Sequence, residues 1–279
     1  MRAAGRVKRE GGRPNRAASL IFTLYGDFVR HYGGTLWVGS LARLMAQFGL
    51  TEPAVRQALS RMAAQGWLTS RRDGGRAYYS LTDRGQHRVE QVAPRIYEPA
   101  QEWDGRWRLV TYTVAESKRE RRDRLRKDLA LLGLAPLSSS TWISPRDVRA
   151  EILELAHQPH LRGTLHLFGG DYEGPLSDRE LLEKCWDLTA IAAAYLDFSA
   201  FYTPRFARER STRSLDDAHA FVERLRLVQD FRRFLYVDPG LPSALLPAHW
   251  PGTAASALFR EFYAATSAKA IRFFKSAAS

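Results

Sequence analysis

Arg56, Gln57, Ser60 and Arg61 stand at i, i+1, i+4 and i+5, a spacing that puts all four on one side of an α-helix. Val55, Ala58, Leu59 and Met62 then share the opposite side and are expected to pack inward. The outward four are side chains that can read a duplex. A guanidinium forks onto guanine, a carboxamide pairs with adenine, and a serine hydroxyl reaches a base or a phosphate. By itself the pattern fits an ordinary solvated helix face equally well. A second basic group, Arg71, Arg72 and Arg76, surrounds Asp73-Gly74-Gly75. Arginines at such a turn can neutralise phosphates or enter a narrow minor groove, and a plain solvated loop is the alternative.

The surrounding elements favour the first reading. Ser19 can cap a helix carrying Leu20, Phe22, Leu24 and Phe28 up to Gly33-Gly34. Leu36-Trp37-Val38 is a short strand-like run, and Ser40 is a second capping residue. Leu41, Leu44, Met45 and Phe48 fall at i, i+3, i+4, i+7, and Gly49 ends that helix. Thr51 caps the next one, with Glu52 and Pro53 suited to its first turn. Helix, short break and helix make a helix-turn-helix. Gly66 closes it, Trp67–Ser70 reads as a strand, and Ala77–Leu81 reads as the return strand of a hairpin. A hairpin directly after a recognition helix is a wing. Thr82-Asp83 cap a further helix, broken by Pro94 and Pro99. The unit spans residues 17–100, behind a basic arm at 1–16 that either tracks phosphates or is a solvated tail.

Composition agrees. The formal charge is +12, and its excess is uneven: residues 1–16 hold six basic side chains against one acidic, 17–100 hold ten against six, and 101–279 hold 26 against 23. Such a gradient predicts a polyanionic partner for the first third of the chain. Cys185 is the sole cysteine, so no intrachain disulfide forms, which suits a reducing cytoplasm. No run approaches the roughly 18–20 apolar residues of a membrane span.

Catalytic patterns are sparse. Neither the dinucleotide-binding nor the nucleotide-phosphate glycine motif occurs, and no nucleophile elbow is found. His157 and His160 are too few ligands for zinc. Cys185 is expected to be a small buried hydrophobe rather than a nucleophile. The chain is expected not to be an enzyme and to need no cofactor.

Beyond residue 101, strands at Trp107–Val114, Thr141–Ile143 and Thr164–Phe168 alternate with helices at Ser117–Leu132 and around Val148, Ile152 and Leu155. That alternation suggests a small α/β sandwich over 101–176. The first of these helices carries seven Arg/Lys between Lys118 and Lys127, interleaved with acidic residues, and is expected to be a solvated face of ion pairs rather than a second DNA contact. From 177 to 279 the pattern is helical. Ser177 and Glu180 form a capping box for a helix running through Trp186 and Ile191 toward Phe198. Ser214 and Asp217 start another, and a last helix after Thr253 carries Leu258, Phe262 and Ala265.

The run LWVGSLARLMAQFGLTEPAVRQALSRMAAQGWLTSRRDGGRAYYSLTDRG resembles the DNA-binding unit of the PaaX family, bacterial repressors of phenylacetic-acid degradation genes. WDGRWRLVTYTVAESKRERRDRLRKDLALLGLAPL with TWISP is similar to that family's middle region. AAAYLDFSAFYTPR and DPGLPSALLPAHWPGTAASALF are similar to its C-terminal region. The resemblance implies an α+β chain: an N-terminal winged helix-turn-helix, a ferredoxin-like middle domain and a helical C-terminal domain. It implies a homodimer on a palindromic operator, released by an aryl-CoA effector, phenylacetyl-CoA being the one expected. Trp103, Trp107, Trp142 or Trp186 could stack on such a ligand, although core packing is the commoner fate of tryptophan. Two rivals stand: a metal-dependent nuclease, since the middle fold resembles CRISPR adaptation nucleases, and a DNA binder without sequence preference. Trp107–Val114 carries no carboxylate to hold a metal, which weighs against the nuclease.

Overall fold

In the computed structural model, described for residues 13–98, 102–114, 118–158, 161, 163–211 and 216–279, the chain divides into two units. The first comprises Met1–Ala93, Phe206–Asp230 and Phe259–Ser279; the second comprises Pro94–Arg205 and Phe231–Leu258.

In the first unit α1 (Arg13–Asp27), β1 (Thr35–Trp37), α2 (Val38–Ala46), α3 (Glu52–Ala64), β2 (Leu68–Asp73) and β3 (Arg76–Leu81) follow in order. The strands form an antiparallel sheet in the order β1-β3-β2. The inward faces expected from helical spacing are buried: Leu20 and Leu24 on α1, Leu41, Leu44 and Met45 on α2, Val55, Ala58, Leu59 and Met62 on α3. Each large apolar side chain so buried stabilises the unit by about 1.5–3 kcal/mol. This core has members from far along the chain. Phe221 and Leu225 of α9 (Asp217–Phe231), and Ala270 and Phe274 of α10 (Pro251–Ala278), belong to it.

Two expected caps, Ser19 and Ser40, lie inside their helices. Ser19 lies inside α1, which starts at Arg13, and its hydroxyl accepts from Gln229 Nε2 at 2.6 Å. Ser40 lies inside α2, buried, and its Oγ donates to the Ala278 carbonyl at 3.1 Å. Both helices begin before these serines, and each hydroxyl bonds a partner distant in sequence instead of a first-turn amide. Val38 opens α2 instead of ending a strand. Thr51 does occupy the residue before α3, though its side chain makes no capping bond. Thr82 caps α4 (Asp83–Tyr97), its hydroxyl accepting from the Gly85 amide at 3.1 Å. Pro94 does not break α4, which continues to Tyr97. Arg95 just beyond it is tied to the carbonyls of Leu131, Leu235 and Asp238 at 3.0, 3.2 and 2.7 Å, bonds that offset the one amide the proline removes. Pro99 and residues 1–12 lie outside the described residues.

The second unit holds β4 (Trp107–Tyr112), α5 (Arg119–Leu131), β5 (Ala135–Pro136), β6 (Thr141–Ser144), α6 (Arg149–Ala156) and β7 (Leu165–Gly170). The sheet order β5-β6-β4-β7, antiparallel throughout, is the βαββαβ arrangement of a ferredoxin-like domain. Val110, Leu125, Leu129, Trp142, Val148 and Ile152 fill its core. Ser117 lies outside the described residues, and the helix assigned to it is seen from Arg119.

The capping box at Ser177 and Glu180 opens α7 (Asp178–Cys185), but that helix ends at Trp186, which is extended at φ −127°, ψ 140°. A new helix, α8 (Leu188–Ser211), starts instead, its Ala190 amide donating to Asp187 Oδ1 at 2.9 Å. The aspartate is a cap that the apolar spacing conceals. Ser214 lies outside the described residues; α10 starts at Pro251, before Thr253, and its Ala265 is exposed rather than packed. Residues from 177 onward are shared between the two units.

Candidate nucleic-acid interface

α3 is positioned by its apolar side. With Val55, Ala58, Leu59 and Met62 sealed in the core, helical geometry turns Arg56, Gln57 and Ser60 outward; all three are exposed, as is Thr51 just before the helix. Arg61 is half-buried at the margin of the same face. Arg56 does not hang free: its guanidinium donates twice to Glu52 Oε1, at 2.6 and 2.9 Å. Both side chains are 55% exposed, so the pair sits in high dielectric and gives about 0–1 kcal/mol. A forked contact to a guanine, about 1–3 kcal/mol, exceeds that.

The wing is a two-residue hairpin. Asp73 pairs with Arg76 across Gly74 and Gly75, whose φ values of +54° and +77° are those of a type I′ turn. A side chain at either position would be strained there, hence the double glycine. The three arginines lie on the strands rather than in the loop, and the pleat separates them. Arg71 opposes Tyr78 and Arg76 opposes Asp73, so these two share a face. Arg71 lies over the Tyr78 ring at 5.4 Å and Arg76 over Trp37 at 4.8 Å. Arg72 opposes Ala77 on the other face, the one that buries Leu36 and Leu68 in the helical core nearer its base. Arg72 therefore shares the side of the sheet on which the helices lie. Two further cations were not anticipated. Arg43 of α2 stands 5.8 Å from the Trp37 ring, and Arg84 of α4 stands 4.2 Å from Trp67 and donates to the Gln65 carbonyl at 3.2 Å. An arginine one residue past a capping Thr-Asp pair was the available signal for Arg84.

Other candidates fare differently. Trp107 and Trp142 are core residues, and the Trp107 indole donates to Asp178 Oδ1 at 2.7 Å; Trp103 and Trp186 are half-buried. Burial pushes the half-buried Cys185 thiol up and keeps it neutral. His157 ends α6, and His160 lies outside the described residues. Among the described residues no three His, Cys, Asp or Glu side chains gather as metal ligands, and no helix is long and apolar enough to cross a membrane.

An exposed polar helix after a helix-turn, followed by a basic hairpin, leads into a known lineage. Residues 16–85 match the family described as PaaX-like protein, 100–182 match the PaaX protein central Cas2-like domain, and 186–276 match the PaaX-like protein C-terminal domain. The chain belongs to the PaaX family. Over 265 residues this PaaX-family chain is 34% identical to the transcriptional repressor PaaX of Escherichia coli strain K12, covering 93% of this chain and 83% of that one. An uncharacterized protein from Mycobacterium tuberculosis shares the fold, with a TM-score of 0.60 at 23% identity, over 93% of this chain and 98% of that one.

Proposed function

We propose that this PaaX-family chain is a cytoplasmic transcriptional repressor that holds a palindromic operator as a homodimer and releases it when an aryl-CoA thioester, phenylacetyl-CoA, binds. The observation that carries the DNA contact is the outward face of α3 with Arg72 on the adjoining hairpin. In this reading Arg56, Gln57, Ser60 and Arg61 meet base edges. Thr51 and the first amides of α3 meet a phosphate, as helix N-termini do, and Arg71, Arg72 and Arg76 contact the flanking backbone. Twofold symmetry would set the two recognition helices about 34–36 Å apart, or a multiple of that. Release requires the thioester to prefer the arrangement that does not fit DNA.

Gel retardation with the DNA upstream of the neighbouring genes tests this. The expected result is a retarded complex that disappears as phenylacetyl-CoA is added. A complex indifferent to the thioester removes the effector; failure to retard any such fragment removes the repressor.

A further inference from the structure

A cleft of about 950 Å³ opens in the second unit. Its walls are the end of α7 with the Trp186-Asp187 break, the first turns of α8 and the loop leading into α10. That volume is near the top of the roughly 300–1,000 Å³ range of small-molecule sites. Trp186 and Trp250 line it, together with Leu188, Ala193, Leu196 and Pro251. Leu196 is 58% exposed, an apolar side chain presented to solvent inside a concavity.

The wall behind Trp250 is closely packed. Tyr195 meets the indole edge-on at 6.3 Å, stacks on Phe234 at 4.0 Å, and donates its hydroxyl to Asp238 Oδ2 at 2.5 Å. A Cβ on Gly252 would fall 2.5 Å from the Trp250 indole nitrogen and 2.8 Å from Tyr195, so only glycine admits the ring there. His249, beside it, has φ +60° and is the one non-glycine with positive φ among the described residues. Strain of this kind persists where the surrounding structure enforces it, and it clusters at ligand clamps. The ionisable side chains bordering the cleft are Glu183, Lys184, Asp187 and His249, and Asp187 is engaged as the α8 cap. Two carboxylates against one ammonium leave no surplus of positive charge to hold phosphates, so the cleft selects by shape and stacking and favours a ring over a phosphate tail.

We infer that this cleft takes the aryl group of an aromatic acyl thioester, its ring against the indoles of Trp186 and Trp250. The inference rests on the reading of the chain as a thioester-released repressor and supplies its sensory site. α8 and α10 both begin at the cleft, and their later residues, from Phe206 and from Phe259, belong to the first unit, where Ala270 and Phe274 are core. A ligand that favours one arrangement of their first turns thus acts on helices that the DNA-binding core shares.

Isothermal calorimetry on the full chain, without DNA, provides the test. The probes are phenylacetyl-CoA, S-phenylacetyl-N-acetylcysteamine (the same aryl thioester without phosphates) and CoA. Both aryl thioesters are expected to bind the parent, and CoA at least tenfold more weakly. Ala193→Trp, which fills the cleft from an exposed position, and Leu196→Arg are each expected to weaken both thioesters at least tenfold while the far-UV circular dichroism stays unchanged. Unaltered affinity in both folded variants overturns the assignment, as does CoA binding equal to phenylacetyl-CoA, or no aryl thioester binding at all. A parent that binds the thioesters yet retains no operator refutes the repressor reading and leaves the cleft standing.

Discussion

Arg56 is the residue on which sequence reading bears most directly. Its pair with Glu52 keeps it extended along the helix surface at little energetic cost, so a guanine edge can displace the carboxylate. Arg56→Ala and Arg61→Ala are each expected to cost about 1–3 kcal/mol on the operator and to relax preference at one base pair, as titrations on single-base operator variants would report. The exposure of Arg56, Gln57 and Ser60 was legible because a 3.6-residue repeat fixes both faces of a helix at once, and burying Val55 and Leu59 decides the rest. The roles of Ser19 and Ser40 were not. Local rules make a serine a cap, but Gln229 and Ala278 bond these hydroxyls from 210 and 238 residues away.

At the scale of elements, the wing matters through its pleat. Strand alternation puts Arg72 on the side of the helices and leaves Arg71 and Arg76 over aromatic rings. Arg72→Ala is therefore expected to weaken all duplexes alike and to flatten the dependence of log K on log salt by about one unit, measured as Kd across a salt series. Arg71→Ala should flatten it less. The hairpin itself was plain in the sequence, since Asp-Gly-Gly between two strand-like runs admits few other structures. The split of its arginines follows only from the register, which composition does not fix. The end of α7 was missed for a related reason. Apolar spacing runs on through Trp186 and Ile191, while the decisive signal is the single capping carboxylate of Asp187. The ferredoxin-like order of strands needed pairing partners, although its alternation of helices and strands was visible.

The whole molecule departs most from a linear division into domains. The winged helix shares its core with α9 and with the end of α10, and a buried ionic cluster joins them. Arg224 donates from Nε to Asp27 Oδ2 at 2.9 Å and from Nη2 to Oδ1 at 3.0 Å, and the Tyr263 hydroxyl donates to Oδ1 at 2.8 Å. The two charged side chains are 5% and 0% exposed. Asp27→Asn would leave a buried guanidinium without its counter-charge, so it is expected to lower the stability of the first unit by about 3–5 kcal/mol, read from the urea midpoint. No local pattern announces this pair, because its members are 197 residues apart. Repression of chosen genes requires the outward face of α3 to read sequence. Competition gel retardation of the upstream operator fragment against random duplex, at physiological salt, tests that most directly. The parent is expected to favour the operator by roughly 10³-fold or more, and the Arg56→Ala, Arg61→Ala double variant to lose most of that preference. A parent displaced equally by both duplexes, or a double variant that discriminates as the parent does, would contradict it.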